Sequence, residues 1–255
     1  MFYNNINPVL FRIGPFEVRY YGLIYLIGFI VAFFIINHLA KRKELKLSKD
    51  DVWDLIFYIV VGAVIGARAF EVLIYNLSFY LSHPFEIIAV WHGGLSFHGG
   101  LIGALISGWL FCRKKKMDFY TLADISVMPL AFGLFLGRIG NFLNGELVGR
   151  ITDVPWCVKF RDYAGCRHPS QLYESAKNLL IFFVLWSIKD KKLKKGTMFW
   201  GFILMYSFLR FFIEFFREPD LQLGFILGLT MGQWLNIAMF IVGAVFMWKV
   251  NRSNP

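Results

Sequence analysis

Charge is scarce in this chain. Of 255 residues, 17% are charged and 57% are hydrophobic, where a soluble domain carries about a quarter charged. Long apolar stretches recur along the whole length. Together these exclude a freely soluble globular protein and point to an all-α polytopic membrane protein. Cysteine is nearly absent, with three residues. No CxxC or Cys/His ligand spacing occurs, which argues against a zinc site. Nucleophile elbow (G-x-S-x-G), His-Glu-x-x-His and P-loop patterns are missing too, so serine hydrolysis, zincin chemistry and nucleotide-driven chemistry have no support. No internal repeat or long linker divides the chain, which reads as a single integral membrane domain over 1–255.

The charges that are present are arranged unevenly. The formal net charge is +10, but the cations sit mostly in short links between apolar runs, at 40–50, 112–118, 189–195 and the C-terminal tail. They read as topology signals and contacts to anionic lipid heads, and not as a nucleic-acid surface. The positive-inside rule then places the N-terminus outside and the C-terminus in the cytoplasm, with seven spans near 20–39, 52–75, 87–111, 120–142, 171–188, 197–213 and 230–248. The first of these is followed by its basic cluster and is too long for a signal h-region, so it reads as a span. Residues 1–19, with Pro8, Gly14 and Pro15, are expected along the outer surface. The 145–170 loop is expected to form a small external cap. It holds Cys157 and Cys166, nine apart, where oxidation can join them.

Against this background the stretch Gly137-Arg138-Ile139-Gly140-Asn141-Phe142-Leu143-Asn144-Gly145-Glu146-Leu147-Val148-Gly149-Arg150 stands out. Ionisable residues at membrane depth are costly and mark functional sites. Four glycines suggest a helix that unwinds where a ligand approaches backbone. Spacings of four, four and three place Tyr206, Arg210, Glu214 and Arg217 on one helix face. Two readings stand there: Arg210 and Glu214 neutralise one another, or Arg210 and Arg138 converge from two helices on a phosphate or carboxylate. His98 lies between Gly93-Gly94 and Gly99-Gly100. It is either a hydrogen-bonded packing residue or a proton acceptor near neutrality. Arg68 and Glu71, three apart, pair locally or serve a site. Asp124 reads as a helix-start cap, Ser170 as an N-cap, His168 as a loop residue open to a structural or catalytic role, and Tyr21 as an interfacial anchor.

These motifs resemble the signature of the prolipoprotein diacylglyceryl transferases. The similarity runs from Gly137 to Gly149 and extends to Tyr20-Tyr21-Gly22, to Ser96-Phe97-His98-Gly99-Gly100, to the segment from His168 to Glu174, and to the segment from Arg210 to Asp220. The motifs occur in family order over essentially the whole chain, which is compact for the family in its external loop. The resemblance implies transfer of the diacylglyceryl group of phosphatidylglycerol to the lipobox cysteine of a preprolipoprotein signal peptide. It also implies a bacterial-type cytoplasmic membrane with the site towards the outer leaflet, and no cofactor or metal. The catalytic residues it implies are His98 or Tyr21 as base, with Arg138 and Arg210 meeting the leaving phosphate. Asn141 donates hydrogen bonds, Glu146 and Glu214 orient the arginines, Tyr206 lines the substrate site, and Gly99 and Gly149 give backbone clearance. A transporter for an organic anion is the rival from another class. The missing repeat symmetry and the clustering of charge towards one side speak against it. A lipid-binding scaffold without catalysis leaves His98 and Glu146 unexplained.

Overall fold

An apolar run inside a bilayer has no water for its amides, so it closes its hydrogen bonds along itself as helix. The computed structural model describes residues 2–14, 16–218 and 225–252. Pro15 and Asp220, named above, lie outside them. The described residues are mostly helical: α1 Tyr20–Arg42, α2 Lys49–Phe70 with a wider turn to Tyr75, α3 Leu77–Ser82, α4 Phe97–Lys115, α5 Phe119–Asn144, α6 Ser170–Ile188, α7 Thr197–Ile213 and α8 Met231–Arg252. Among the described residues, five segments are long and apolar enough to cross a membrane, those built on α1, α2, α5, α7 and α8. The helices α4 and α6, expected as the third and fifth spans, are less apolar. The described residues also hold six strands of two to five residues: β1 Phe2–Asn4, β2 Val9–Ile13, β3 Phe16–Arg19, β4 Val158–Phe160, β5 Phe225–Ile226 and β6 Leu229–Thr230.

The chain forms two compact units, Met1–Ile35 with Ala123–Pro255, and Ile36–Leu122. In the second, small residues fix how α2 meets α4. A Cβ on Gly66 would collide with the carbonyl of Gly99, and one on Gly103 with that of Gly62, while Gly62 itself faces Ser107. Small residues four apart on both helices let the backbones approach, the usual solution where lipid offers no hydrophobic drive. The clearance at Gly99 thus admits a neighbouring helix. The expected third span begins ten residues late. Gly93 and Gly94 adopt φ of +89° and +70°, Val90–His92 is a short 3-10 turn, and α4 starts only at Phe97, with Ser96 capping the Gly99 amide.

Arg68 explains why that irregular stretch holds together. It is buried and makes no ion pair with Glu71 among the described residues. Its guanidinium donates to the carbonyls of Glu86, Ile87, Ala89, Gly93 and Gly94. Buried carbonyls outside regular α-helix need donors, and one arginine fork supplies several at once; those of Glu86 and Ala89 also accept from the amides of Ala89 and His92. Glu71 accepts from Asn76 instead.

In the first unit, α5 runs unbroken through Gly137 and Gly140 to Asn144, contrary to the expected unwinding. The chain leaves the helix at Gly145 and Leu147, both with positive φ. Gly140 makes room for a side chain: a Cβ there would lie 2.8 Å from the Tyr21 ring. Asp118, not Asp124, caps the start of α5. Asp124 reaches across to α7 and accepts from the amides of Gly196 and Phe199, capping that helix instead. Ser170 is likewise inside α6, behind Pro169, and donates to the carbonyl of Leu147.

The 145–170 loop is tied at several points. The strand β4 pairs in parallel with β1, and Cys157 and Cys166 form a disulfide. Val148, Val158 and Phe160 are buried against Phe142. Arg167 donates to the carbonyls of Ala164 and Gly149 and to the Glu218 carboxylate. Gly149 is required by the tightness of this packing: a Cβ would stand 2.5 Å from the carbonyls of both His168 and Phe216.

Candidate active site

A buried carboxylate gathers the cations of the first unit. Glu174 lies one turn into α6, is 3% exposed, and faces α5 and α7. Arg210 Nη1 donates to its Oε1 at 2.6 Å, and Lys177 Nζ to its Oε2 at 2.8 Å. Arg138 Nε stands further off, 3.9 Å from the same Oε2. Three cations from three helices therefore converge on one acid. A buried charge survives only when paired and hydrogen-bonded, and removal of one partner typically costs about 3–5 kcal/mol.

Arg210 is fully committed. Its second nitrogen sits 2.6 Å from Glu214 Oε2, an ion pair lying off the axis a hydrogen bond needs. The expected self-neutralising pair and the expected site residue are therefore the same guanidinium. Glu214 is positioned in turn by the start of α8. Thr230 Oγ1 donates to it, and Gly232 leaves it space, since a Cβ there would be 2.6 Å from Glu214 Oε1. Thr230 and Gln233 bond reciprocally as a capping box, and the N-terminal end of a helix favours a carboxylate. Tyr206 forms the floor, with Lys177 Nζ 3.7 Å above its ring centroid. Arg217 does not share this face. The helix tightens to a 3-10 turn at Glu214–Phe216 and Arg217 is extended, its carbonyl accepting from Arg150.

Arg138 is the most accessible of the three cations, with 21% of its side chain exposed. Its Nη1 only grazes Asn141 Oδ1, at 3.5 Å. Asn141 turns its amide to Glu146 at 2.7 Å, and Asn144 adds a longer contact to the same oxygen. Asn141 thus lies between Arg138 and Glu146, engaging both. Gln171 holds the backbone of that corner through the carbonyl of Glu146. Tyr21, in the first turn of α1, packs its ring against Gly140 of α5, with its hydroxyl 2.9 Å from that of Tyr25.

His98 belongs to the second unit. It is exposed, in the first turn of α4, with Nδ1 3.4 Å from the Tyr75 hydroxyl. His168, in the first unit, is built into an aromatic cluster with Tyr173 and Phe216. Its Nδ1 lies 3.1 Å from the Tyr173 hydroxyl, which accepts from the Trp156 indole. Among the described residues no group of His, Cys, Asp or Glu has the arrangement of a metal site.

Two members of the cluster, Glu174 and Lys177, escaped the sequence reading as site residues. The signal was available: an acid and a base three apart at the start of a helix that continues as the apolar run Leu179–Trp186, a spacing that puts both on one face.

Burial lowers the pKa of His168 below its ordinary 6.5, so the folded chain resists a proton that the unfolded chain accepts. The associated stability is present above about pH 6.5 and is lost as pH falls through the lowered value. Thermal unfolding between about pH 7.5 and 5.5 should therefore show a Tm that falls less steeply in His168→Gln than in the wild type. Parallel curves would remove His168 from this role.

The arrangement can hold an anion at Arg138 beside a packed, charge-balanced wall, and proteins with known relatives bear on what that anion is. The family model described as prolipoprotein diacylglyceryl transferase matches residues 8–249. A relative from Geobacter sulfurreducens, named phosphatidylglycerol–prolipoprotein diacylglyceryl transferase, is 48% identical over 99% of this chain and 98% of its own length. Relatives of the same name from Rickettsia canadensis and Desulfotalea psychrophila are 45% and 41% identical, with at least 95% of every chain covered. With a family match over nearly its whole length and relatives aligned almost end to end, this chain belongs to the prolipoprotein diacylglyceryl transferase family.

Proposed function

We propose that the chain transfers the diacylglyceryl group of phosphatidylglycerol to the lipobox cysteine of preprolipoproteins, the first step of lipoprotein maturation. The observation that carries this reading is the state of Arg138: a guanidinium with donors to spare, standing beside two cations already bound to carboxylates. The near-full-length relatives named for this reaction support it. A phosphodiester headgroup is the anion such a fork receives.

The reaction divides into three demands. The cysteine thiol, with an ordinary pKa of about 8.5, must lose its proton. His98 takes it, with Tyr21 the competing base. The thiolate sulfur then bonds to the saturated glyceryl carbon. That carbon's bond to the phosphate oxygen breaks, the electron pair goes to the phosphate, and glycerol-1-phosphate leaves. Arg138 meets the developing charge, as preorganised donors do in transition states. Arg210 adds its field while holding Glu174 and Glu214 in place. Glu146 and Asn141 orient Arg138 from its other side, and Tyr206 supports the pair from below. Gly99 and Gly149 keep backbone close where these groups are mounted. The charge work falls to side chains of the chain itself, so the scheme calls on no cofactor.

The membrane arrangement completes the proposal. Adding α4 and α6 to the five apolar segments makes seven spans in one integral domain. The basic links then put the N-terminus outside, the C-terminus in the cytoplasm, and the 145–170 cap with the site at the outer leaflet of a bacterial-type cytoplasmic membrane. A lipid substrate and a signal peptide delivered across that membrane both reach this side.

Purified protein incubated with phosphatidylglycerol and a lipobox peptide should yield a diacylglyceryl thioether, which mass spectrometry of the peptide detects. Arg138→Lys should fold normally yet lose about tenfold or more of this activity, since one charge-assisted bond is worth about 1.5–3 kcal/mol. Arg113→Lys, in a basic link, should be silent. Wild-type turnover in Arg138→Lys would defeat the phosphate assignment.

For the base, His98→Gln should slow transfer at neutral pH and recover in part at high pH, where the peptide thiol ionises unaided. An unchanged neutral rate would transfer the role to Tyr21 or solvent.

For topology, single cysteines replacing Pro155 and Lys192 in a Cys112→Ala background should label differently. Position 155 should react with an impermeant maleimide in intact cells, and position 192 only after permeabilisation. The reverse would place the site in the cytoplasm.

A further inference from the structure

The cluster around Glu174 contains one cation that neither the signature motifs nor the proposed chemistry uses. Lys177 is 4% exposed and sits about one turn after Glu174 on α6. An ammonium at such a place is expensive, and its two contacts show where it acts. It donates to Glu174 Oε2 at 2.8 Å and lies 3.7 Å over the Tyr206 ring. The oxygen it holds is the one nearest Arg138, which remains 3.9 Å away.

Charge balance states the consequence. Arg138, Lys177 and Arg210 face Glu174 and Glu214, leaving one positive charge over. Glu146 is held separately by the Asn141 and Asn144 amides. Arg210 is bound by both carboxylates and Lys177 is buried against one of them. The surplus therefore lies on Arg138, the accessible member. Without Lys177 the count falls to two against two, and Glu174 has a free oxygen within a small rotation of the Arg138 guanidinium. A buried carboxylate and a partly buried guanidinium at that spacing attract one another, and a fork satisfied by a carboxylate is no longer offered to a phosphate.

We infer that Lys177 is a positioning residue: by occupying Glu174 it holds Arg138 to a loose 3.9 Å contact with that carboxylate and leaves its fork available to the headgroup phosphate of the lipid substrate. This rests on the proposed transfer reaction. It predicts a defect that the free charge of Glu174 causes. Arg138 both binds the phosphate and meets the charge that develops on it, so loss of the interaction lowers kcat/KM for phosphatidylglycerol, and removal of the competing Glu174 charge restores it.

The test is the transfer assay with phosphatidylglycerol varied as its mole fraction in detergent micelles. Lys177→Met preserves length and removes charge. Its kcat/KM should fall about tenfold or more. The double variant Glu174→Gln/Lys177→Met restores one surplus charge, from Arg138 and Arg210 against Glu214, and its kcat/KM should return to within about threefold of wild type. Should Lys177→Met fail to fold, the double variant decides alone, and a kcat/KM lowered tenfold there overturns the inference. So does a wild-type kcat/KM in Lys177→Met while Arg138→Lys loses activity, an outcome that leaves the proposed reaction standing. A loss in kcat/KM that the double variant does not rescue assigns Lys177 a purely structural part and also overturns it. No thioether from the wild-type protein would overturn the reaction itself and this inference with it.

Discussion

One carboxylate in an apolar setting organises the first unit. Glu174 cannot stay charged there without partners, and its partners cannot stay charged without it. Arg210, Lys177 and Arg138 are drawn from three helices to the same two oxygens. That requirement sets the rotation of α5, α6 and α7 about their axes more firmly than apolar packing does, since lipid and side chains are almost equally apolar. Glu214 extends the network to the start of α8, where a capping box and a glycine receive it.

The remaining irregular backbone is handled by the same principle with different donors. In the second unit, the non-helical stretch before α4 collects its carbonyls on the Arg68 fork. In the first, the loop after α5 is fastened by Arg167, by the β1–β4 pairing and by a disulfide. Glycine appears where two backbones or a ring must come close: Gly66 and Gly103 between helices, Gly140 beneath Tyr21, Gly149 between His168 and Phe216. A motif dense in glycine thus serves packing of the protein against itself, and the reactive groups are held by what the packing fixes.

Most of the helical architecture was legible in the chain, because a long apolar run at low charge has almost no alternative to helix. Boundaries were less so. The third expected span was read ten residues too long, since apolar residues continue through Val90–Leu95 while two glycines at positive φ end regular structure there. The helix α5 was expected to unwind at Gly137 and did not, because a glycine weakens a helix by only about 1 kcal/mol and neighbouring helices more than compensate. Arg217 was assigned to a helix face by spacing, and the helix ended before reaching it.

By itself the sequence determined the class of protein, the family and the residues expected to meet a phosphate, since hydropathy, the positions of charge and the order of motifs are properties of the chain. Only the tertiary structure decided which charges are spoken for. Arg138 and Arg210 look alike in sequence, each a lone arginine in an apolar run. Their difference comes from Glu174 and Lys177, distant in the chain and adjacent in space. A pairing across helices depends on how far each helix is turned and how deep each side chain reaches, and no local pattern of residues carries that information.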